Sequence, residues 1–544
     1  MHAIQREGRP QAMRKRSLRR FKEKDVRKQL AVILGGKMLG IVALLAVMKG
    51  FAFFLESAAG AAPLNEVAVQ ASDIVSPINT VWVLVTAFLV FFMQAGFMAL
   101  EAGFARSRES VNVLLSCVFD TCVCGLLYWA IGFAFQFGTG NGFIGHTFFF
   151  LHDMTPAYGS TTVGFLAFFL FQFAFADTAS TVTTGALVGR TSFKGDILYS
   201  IMVSGFIYPI FGHWVWGPGG WLGNTMGWFG DFVNNNSGVV FRDFAGSTVV
   251  HTVGGVIALA GCIVLGPRLG RKFKRDGGGP MPAHDLALGA LGGVILWFGW
   301  YGFNPGSALS AMDWEGIGRV SANTTLAACA AGFVAVLFVY PRSKTWDLGI
   351  SVNGFLGGLV AITCPCYWVS PFGAIMIGAV AGIVVPLAID FMERMRWDDP
   401  IGAVAVHFFA GIWGTLSLGL FGAGKYGLPT PTGSDTTNVV TGVFYGNHPW
   451  NQFKAQFIGS ATCVIVVGGF ALIMFWLIRQ IPGSWNLRIS QDGELEGIDI
   501  HEHGTPAYHM EFGYGMSYTT ASGLPGPGSG SAPRREPESE SIPT

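Results

Sequence analysis

The feature that most constrains this chain is a series of eleven apolar segments, each close to the length that crosses a membrane as a helix. Such a helix needs about 20 apolar residues to cross a hydrocarbon core of about 30 Å. The composition agrees, because 51% of the residues are hydrophobic and only 12% are charged, too few to cover a water-facing surface. The sequence therefore predicts an all-α polytopic membrane protein with eleven transmembrane helices. The segments cover residues 77–104, 110–137, 160–188, 196–217, 244–266, 284–304, 321–340, 347–366, 370–393, 402–423 and 455–479.

Basic residues are concentrated in every second connection between these segments. Five connections carry thirteen lysines and arginines, and the intervening ones carry four, although 218–243 and 424–454 are among the longest connections. Because basic residues stay in cytoplasmic loops, this alternation predicts a cell-membrane protein with its N-terminus outside and its C-terminus in the cytoplasm. The thirteen residues are Arg106, Arg108, Arg190, Lys194, Arg268, Arg271, Lys272, Lys274, Arg275, Arg342, Lys344, Arg394 and Arg396.

The two ends of the chain differ from its apolar body. Residues 1–62 combine a basic start, a short apolar run between Lys37 and Lys49, and small residues near Ala59, which is typical of a signal peptide. Cleavage is favoured over an extra uncleaved helix, and it would account for an outside N-terminus. Residues 523–544 are rich in glycine, proline, serine and acidic residues, so we expect disorder. The predicted organisation is 1–62 leader, 77–480 membrane domain with a last helix at 455–479, 481–522 cytoplasmic tail and 523–544 disordered end.

One short pattern occurs twice: an aspartate, a histidine eight positions later and a glycine four further on. The first copy contains Asp243 and His251, and the second, five spans later, contains Asp399 and His407. Because five is odd, the copies run in opposite directions, which predicts an inverted five-helix repeat with halves at about 77–266 and 284–423. Each aspartate stands where it can cap the first turn of its helix.

The repeated histidines are expected near the middle of the membrane. Eight residues at about 1.5 Å each place them about 12 Å from the helix start. A lone histidine at this depth is usually a packing residue, but ionisable groups there cost about 2.5–3.5 kcal/mol and usually mark a pathway. Neutral imidazole accepts a hydrogen bond at one nitrogen and donates at the other. The pair therefore predicts a passage for a small polar molecule that can shed its charge.

Aromatic residues are grouped near the ends of three segments. Phe171 and Phe175 share a helical face through their i, i+4 spacing, and Trp216 and Trp300 end two other segments, with Ser307 following. They could be interfacial anchors and packing residues. They could equally form an aromatic cup that holds a cation, with the serine hydroxyl accepting a hydrogen bond from it. These residues leave both readings open.

The remaining polar and sulfur-containing residues indicate no cofactor. The eight cysteines lack the spacing of zinc or iron–sulfur sites, and the balanced charge gives no sign of a nucleic-acid partner. Glu101 and Asp120, also at membrane depth, are expected to bond to neighbouring helices. Asp177 could raise the local concentration of cations or pair with a backbone group.

Seven segments of the chain, at 92–103, 171–190, 243–251, 299–307, 398–400, 406–407 and 494–504, carry a resemblance to a known family. On these segments the chain resembles the ammonium transporter (Amt/Mep/Rh) family over about 77–510. Relative to that family, Gly189 and Arg190 stand where many members have Glu-Arg. The resemblance implies a homotrimer with one pore per subunit, which transports ammonium and is not an enzyme.

The resemblance also implies roles for single residues. His251 and His407 would be the twin pore histidines, with Trp300 lining the wall, and Asp243 would support the outer site, with Asp399 as its counterpart in the repeat. The recruitment site implied for ammonium consists of Phe171, Phe175, Trp216 and Ser307, and the pore gate of Phe175 and Phe303.

Two alternatives to transport remain open. An ammonium sensor of the same fold would report through its cytoplasmic tail, where 482–510 resembles a region that binds small nitrogen-regulatory proteins in this family. A membrane cytochrome would use His251 and His407 as ligands of a haem.

Overall fold

The computed structural model describes residues 71–224, 228–234, 239–423, 440–446 and 449–508. The predicted leader at 1–62 and the predicted disordered end at 523–544 lie outside these residues.

The described chain forms helices at all eleven predicted places. Ten are long and apolar enough to cross a membrane, and the eighth, of 16 residues, is a shorter apolar helix. The predicted helical membrane fold is therefore confirmed. The helices are α1 (Ala71–Phe104), α2 (Ser107–Phe137), α3 (Phe165–Leu187), α4 (Phe193–Trp216), α5 (Ser247–Leu265), α6 (Leu286–Gly306), α7 (Trp314–Ser343), α8 (Leu348–Thr363), α9 (Pro371–Met395), α10 (Val404–Phe421) and α11 (Trp450–Gln480).

Smaller elements connect or interrupt these helices. An antiparallel pair, β1 (Ala157–Tyr158) and β2 (Val163–Gly164), lies between α2 and α3, with Ala157 opposite Gly164. Two short helices follow α11, namely α12 (Gln491–Glu496) and α13 (Ile498–His503). A further short helix spans Trp228–Asn234, 3₁₀ turns lie at Phe149–Leu151, Lys274–Asp276 and Gly483–Trp485, and π-helical turns lie at Tyr128–Gly132, Val203–Ile207, Ser247–Thr252, Val404–Phe409 and Cys463–Val467.

The most extensive packing between described helices joins α1 and α6. A Cβ atom added to Gly292 of α6 would lie 2.3 Å from the backbone nitrogen of Leu100, and one added to Gly299 would lie 2.2 Å from Met93 Cγ. These two glycines let the backbones approach directly, as small residues do between membrane helices.

Large apolar side chains also cover outward faces of the helices. Phe333 of α7 is 67% exposed, and Ile465 of α11 is 72% exposed. Faces of this kind are stable in hydrocarbon, where every backbone polar group must already be satisfied within a helix.

The connection after α5 is tied to the end of α9 by buried ion pairs. Asp398 accepts hydrogen bonds from the Nε and Nη2 atoms of Arg268 at 2.8 and 3.0 Å, and from Nε of Arg271 at 3.3 Å. Burial alone would raise the pKa of Asp398, but Arg190 and Arg268 together hold it well below its usual range. The carboxylate therefore stays ionised at neutral pH.

The C-terminal segment is anchored on the membrane helices. The Asp499 carboxylate accepts the backbone N–H groups of Val111 and Asn112 at 2.9 Å each, close to the start of α2. Glu494 accepts from Arg488 at 2.8 Å and from the backbone N–H of Leu269 at 2.5 Å. Residues 481–508 thus form an ordered part of the structure.

Candidate functional site

Asp243 organises the turn that begins α5. Its two carboxylate oxygens accept four successive backbone N–H groups at 2.8 to 3.0 Å, from Gly246, Ser247, Thr248 and Val249. Burial raises the pKa of Asp243 to about 6, and the four N–H groups act to lower it. The side chain is therefore a charged cap at neutral pH, satisfying donors that a helix start leaves unpaired.

The second copy of the pattern repeats this arrangement. Asp399 accepts the N–H groups of Ala403, Val404 and Ala405 at 3.0, 2.9 and 3.4 Å. In both copies the histidine lies in a π-helical turn, at Ser247–Thr252 and at Val404–Phe409. Such turns are rare in proteins as a whole, and those that occur are often found at functional sites.

The two histidines meet although 156 positions separate them. His251 Nδ1 lies 3.2 Å from His407 Nδ1, and the ring centroids are 5.2 Å apart at an interplanar angle of 27°. One Nδ1 must donate and the other accept, so the contact holds one proton. A neutral pair then presents one N–H and one bare nitrogen at its two Nε2 atoms.

A row of stacked rings leads to this pair. Phe175 and Phe303 stack with centroids 4.1 Å apart at 21°, and Phe303 stacks on His251 at 5.3 Å. The fully buried Trp300 stacks on His251 at 5.1 Å, and its indole N–H donates to Thr363 Oγ1 at 2.9 Å. Phe303 thus lies between Phe175 and the histidine pair.

A vestibule of about 380 Å³ opens above Phe175. Trp216 lies edge-on to Phe175 at 6.3 Å and donates its indole N–H to the Asp243 carbonyl oxygen at 2.7 Å. Ser307 donates its hydroxyl to the Phe303 carbonyl oxygen at 2.8 Å, which leaves its oxygen able to accept. The predicted residues Phe171, Phe175, Trp216, Ser307 and Asp243 all line this cavity.

The vestibule also contains residues that the sequence analysis did not single out. Tyr158, Asp313 and Tyr367 line it from the strand β1 and from two connections. Arg319 lies over the Tyr367 ring, 5.3 Å from its centroid. Tyr158, Asp313 and Tyr367 carry no spacing signal, since each reaches the cavity from a different part of the chain.

The buried carboxyl groups of α1 and α2 bond to α3. Thr184 Oγ1 lies 3.0 Å from Glu101 Oε2, and Ser180 donates to Asp120 at 3.0 Å, so the expected bonding to neighbouring helices is found. Asp177 accepts from Gln94 at 2.6 Å and from Thr121 at 3.2 Å. Asp177 is thus paired with side chains of α1 and α2.

The histidine geometry does not suit a haem. Two imidazoles that ligate one iron from opposite sides need metal–nitrogen bonds of about 2 Å each, hence nitrogens about 4 Å apart. The contacting nitrogens lie at 3.2 Å, and the ring faces are occupied by Trp300 and Phe303. In the described part of the chain, no group of three or more His, Cys, Asp or Glu residues could hold a metal ion.

Comparison with known proteins agrees with this arrangement. The model of the Ammonium Transporter Family matches residues 81–508. The chain belongs to the ammonium transporter family. One relative is ammonium transporter Amt2 of Archaeoglobus fulgidus, which is 41% identical to this chain over 434 residues that cover 79% of this chain and 88% of that protein. Another is a putative ammonium transporter of Synechocystis, 37% identical over 81% of this chain and 92% of that protein.

Solved structures of family members have the same fold. A structure described as "Sensor Amt Protein" is matched with a TM-score of 0.69 and 34% identity, covering 79% of this chain and all of that one. Mep2 of Candida albicans is matched with a TM-score of 0.66 and 25% identity, covering 78% of this chain and 89% of that one. The predicted family is therefore confirmed.

Proposed function

We propose that this protein transports ammonium across the cell membrane, and that the vestibule, the stacked rings and the histidine pair form its pathway. The observation that carries the proposal is the continuous series Phe175, Phe303, His251 and His407, which begins at a cavity lined by aromatic faces. The names of the relatives support ammonium as the substrate.

The vestibule is the recruitment site. An ammonium ion held among Trp216, Phe175 and Ser307 gains cation–π attraction of about 0.5–2 kcal/mol and donates a hydrogen bond to the serine oxygen. The charged Asp243, whose carbonyl oxygen orients Trp216, increases the attraction for a cation. Phe171 completes the cup, with its ring centroid 4.6 Å from that of Phe175.

Beyond the vestibule the ion must give up its proton, because a charge is costly in a dry apolar passage. Phe175 and Phe303 form the gate that excludes water. Neutral ammonia then moves along Trp300 and the histidine pair, whose free nitrogens offer both a donor and an acceptor. His251 Nε2 is buried without a hydrogen-bond partner among the described residues, as expected for an atom that contacts the substrate.

From the alternation of basic connections we propose that the vestibule faces outside and that the tail lies in the cytoplasm. We also propose a cleaved leader, a homotrimer with one pore in each subunit, and a tail that contacts a small nitrogen-regulatory protein.

The test uses purified protein in sealed liposomes and records current and internal pH after an ammonium jump. We expect a saturable response to ammonium and none to an equal potassium jump. Replacing His251 or His407 by alanine should abolish or alter the response. His284→Ala is the matched control, since His284 lies outside the pathway and contacts the Ala105 carbonyl oxygen. Equal responses of all three variants would contradict the proposed pathway.

A sensor is the second candidate, because one neighbour that this chain covers completely is described as a sensor. In that case ammonium would bind at the vestibule and alter the tail, while neither current nor internal pH changed. Isothermal titration of ammonium into the same protein separates the two functions: binding without flux supports the sensor.

A further inference from the structure

Below the histidine pair the pore opens into a small cavity, called here the exit cavity. It has a volume of about 20 Å³ and is lined by His407 and Glu101, with Phe97, Leu100 and Val182 among its apolar walls. A cavity of this size holds about one water molecule. Among the described residues, Glu101 contributes the one carboxyl group in its lining, and this side chain is 1% exposed.

Glu101 also lines a second cavity of about 10 Å³, called here the acidic cavity, which lies beside the pore. Asp196, Ser116 and Asn112 form its polar walls together with Thr184. One carboxyl group therefore faces the pore below His407 on one side and a polar cavity on the other.

The hydrogen bonds around Glu101 allow it to carry a proton. Thr184 Oγ1 lies 3.0 Å from Glu101 Oε2 but only 2.7 Å from the Thr181 carbonyl oxygen. A threonine hydroxyl has one proton to donate. When that proton goes to the nearer carbonyl, the contact with Glu101 is satisfied only if the carboxyl group donates.

No cation neutralises Glu101 within the described residues. Asp196, which lines the acidic cavity together with Glu101, is a carboxyl group as well. From the pore side Glu101 faces His407 across the exit cavity. A carboxyl group in such surroundings is well placed to accept a proton, because protonation removes a buried charge.

We propose that Glu101 takes up the proton that leaves His407 and releases it through the acidic cavity, so that the proton exits beside the pore. In this step the N–H bond of the His407 imidazolium breaks and an O–H bond forms on Glu101, through one water in the exit cavity. The products are a neutral imidazole and a neutral carboxylic acid. The acid then passes its proton to water beside Asp196.

The acidic cavity leads toward the end of the bundle proposed to face the cytoplasm. Asp196 lies in the first turn of α4, and Asn112 lies near the start of α2. The inference rests on the proposed function, since it needs ammonium to be deprotonated on its way through the pore.

The test compares Glu101→Gln with Asp120→Asn in the liposome assay. Asp120 is the matched control because it is equally buried and hydrogen-bonded to α3, yet lines neither cavity. We expect Glu101→Gln to lower the ammonium-evoked current at least tenfold and to produce internal alkalinisation above that of protein-free liposomes, because ammonia that enters without its proton binds one inside. Glu101→Asp should recover part of the current, and Asp120→Asn should keep the wild-type current.

The other outcomes overturn the inference. If Glu101→Gln keeps its current, or loses its current without any alkalinisation, Glu101 is only structural. If Asp120→Asn loses current to the same degree, the effect is not specific to Glu101. Alkalinisation by the wild type without current would mean that no proton passes through the protein with the ammonia. That result would contradict the inference about Glu101 but not the proposed pathway for ammonia. A wild type that shows neither signal would instead contradict the proposed transport.

Discussion

Trp216 illustrates how one residue serves both structure and recognition. Its indole N–H is fully used by the Asp243 carbonyl oxygen at 2.7 Å, so the side chain is held in one orientation. The ring is partly exposed in the vestibule and faces the edge of Phe175. A cation that enters the vestibule therefore meets a fixed aromatic surface and need not order a mobile side chain.

We predict that Trp216→Leu raises the ammonium concentration for half-maximal current by about 2- to 30-fold. This range corresponds to the loss of about 0.5–2 kcal/mol of cation–π attraction. Trp214→Leu is the control, because Trp214 donates its indole N–H to Phe143 and does not line the vestibule. The same shift in both variants would mean that the effect comes from general loss of packing.

At the scale of elements, the pathway depends on close packing between α1 and α6. The backbone contact at Gly292 and Gly299 brings α6 against α1, and α6 carries Trp300 and Phe303. A bulkier residue at these glycines would displace the wall and the gate of the pore together.

We predict that Gly292→Ala destabilises the protein by about 3 kcal/mol, because the added methyl group must overlap the α1 backbone at Leu100. Gly318→Ala is the matched control in α7, where an added Cβ meets nothing within 4 Å. The control should be neutral or slightly stabilising. Thermal unfolding in detergent measures both, and equal melting temperatures would contradict the close packing.

At the scale of the whole molecule, the buried ion pairs of Asp398 join the connection after α5 to the end of α9. The neighbouring residue, Asp399, caps the turn that holds His407. The residue that caps the turn of His407 is thus the direct sequence neighbour of Asp398 and its ion pairs.

We predict that Asp398→Asn destabilises the protein by about 3 kcal/mol, since it leaves the Arg268 guanidinium buried without its ion-pair partner, while Arg271 keeps its ion pair with Glu393. Asp390→Asn, which breaks an ion pair with the half-exposed Lys274, should cost about 0–1 kcal/mol. Thermal unfolding at pH 7 measures the difference, and equal losses would contradict the prediction.

The pH dependence of this cluster follows from the same ion pairs. The pKa of Asp398 is lower in the folded protein than in the unfolded chain. The ionised Asp398 therefore stabilises the folded protein fully at pH values above its pKa in the unfolded chain. This stabilisation is lost as the pH falls through its pKa in the folded protein. The difference in stability between the wild type and Asp398→Asn should therefore shrink only in acid. A constant difference down to pH 3 and below would indicate that charge is not the cause.

Much of this architecture is local and could be predicted from the chain. Apolar segments of membrane length determine the helices, alternating basic connections predict their orientation, and the repeated spacing of Asp243 to His251 and Asp399 to His407 marks the two pore histidines. The hydrogen bonds of Glu101 and Asp120 to α3 also followed from the high energetic cost of an unpaired carboxyl group at that depth.

What only the tertiary structure decided is how residues far apart in the chain come into contact. Whether His251 and His407 touch, and through which nitrogens, depends on the crossing of α5 and α10 and on the extra residue in each π-helical turn. The shared position of Glu101 between two cavities likewise arises from the packing of α1 against its neighbours. The sequence by itself determined the helices and the residues they carry, because length, hydropathy and spacing act locally. The distances between those residues depend on side-chain packing between helices, and no local pattern encodes them.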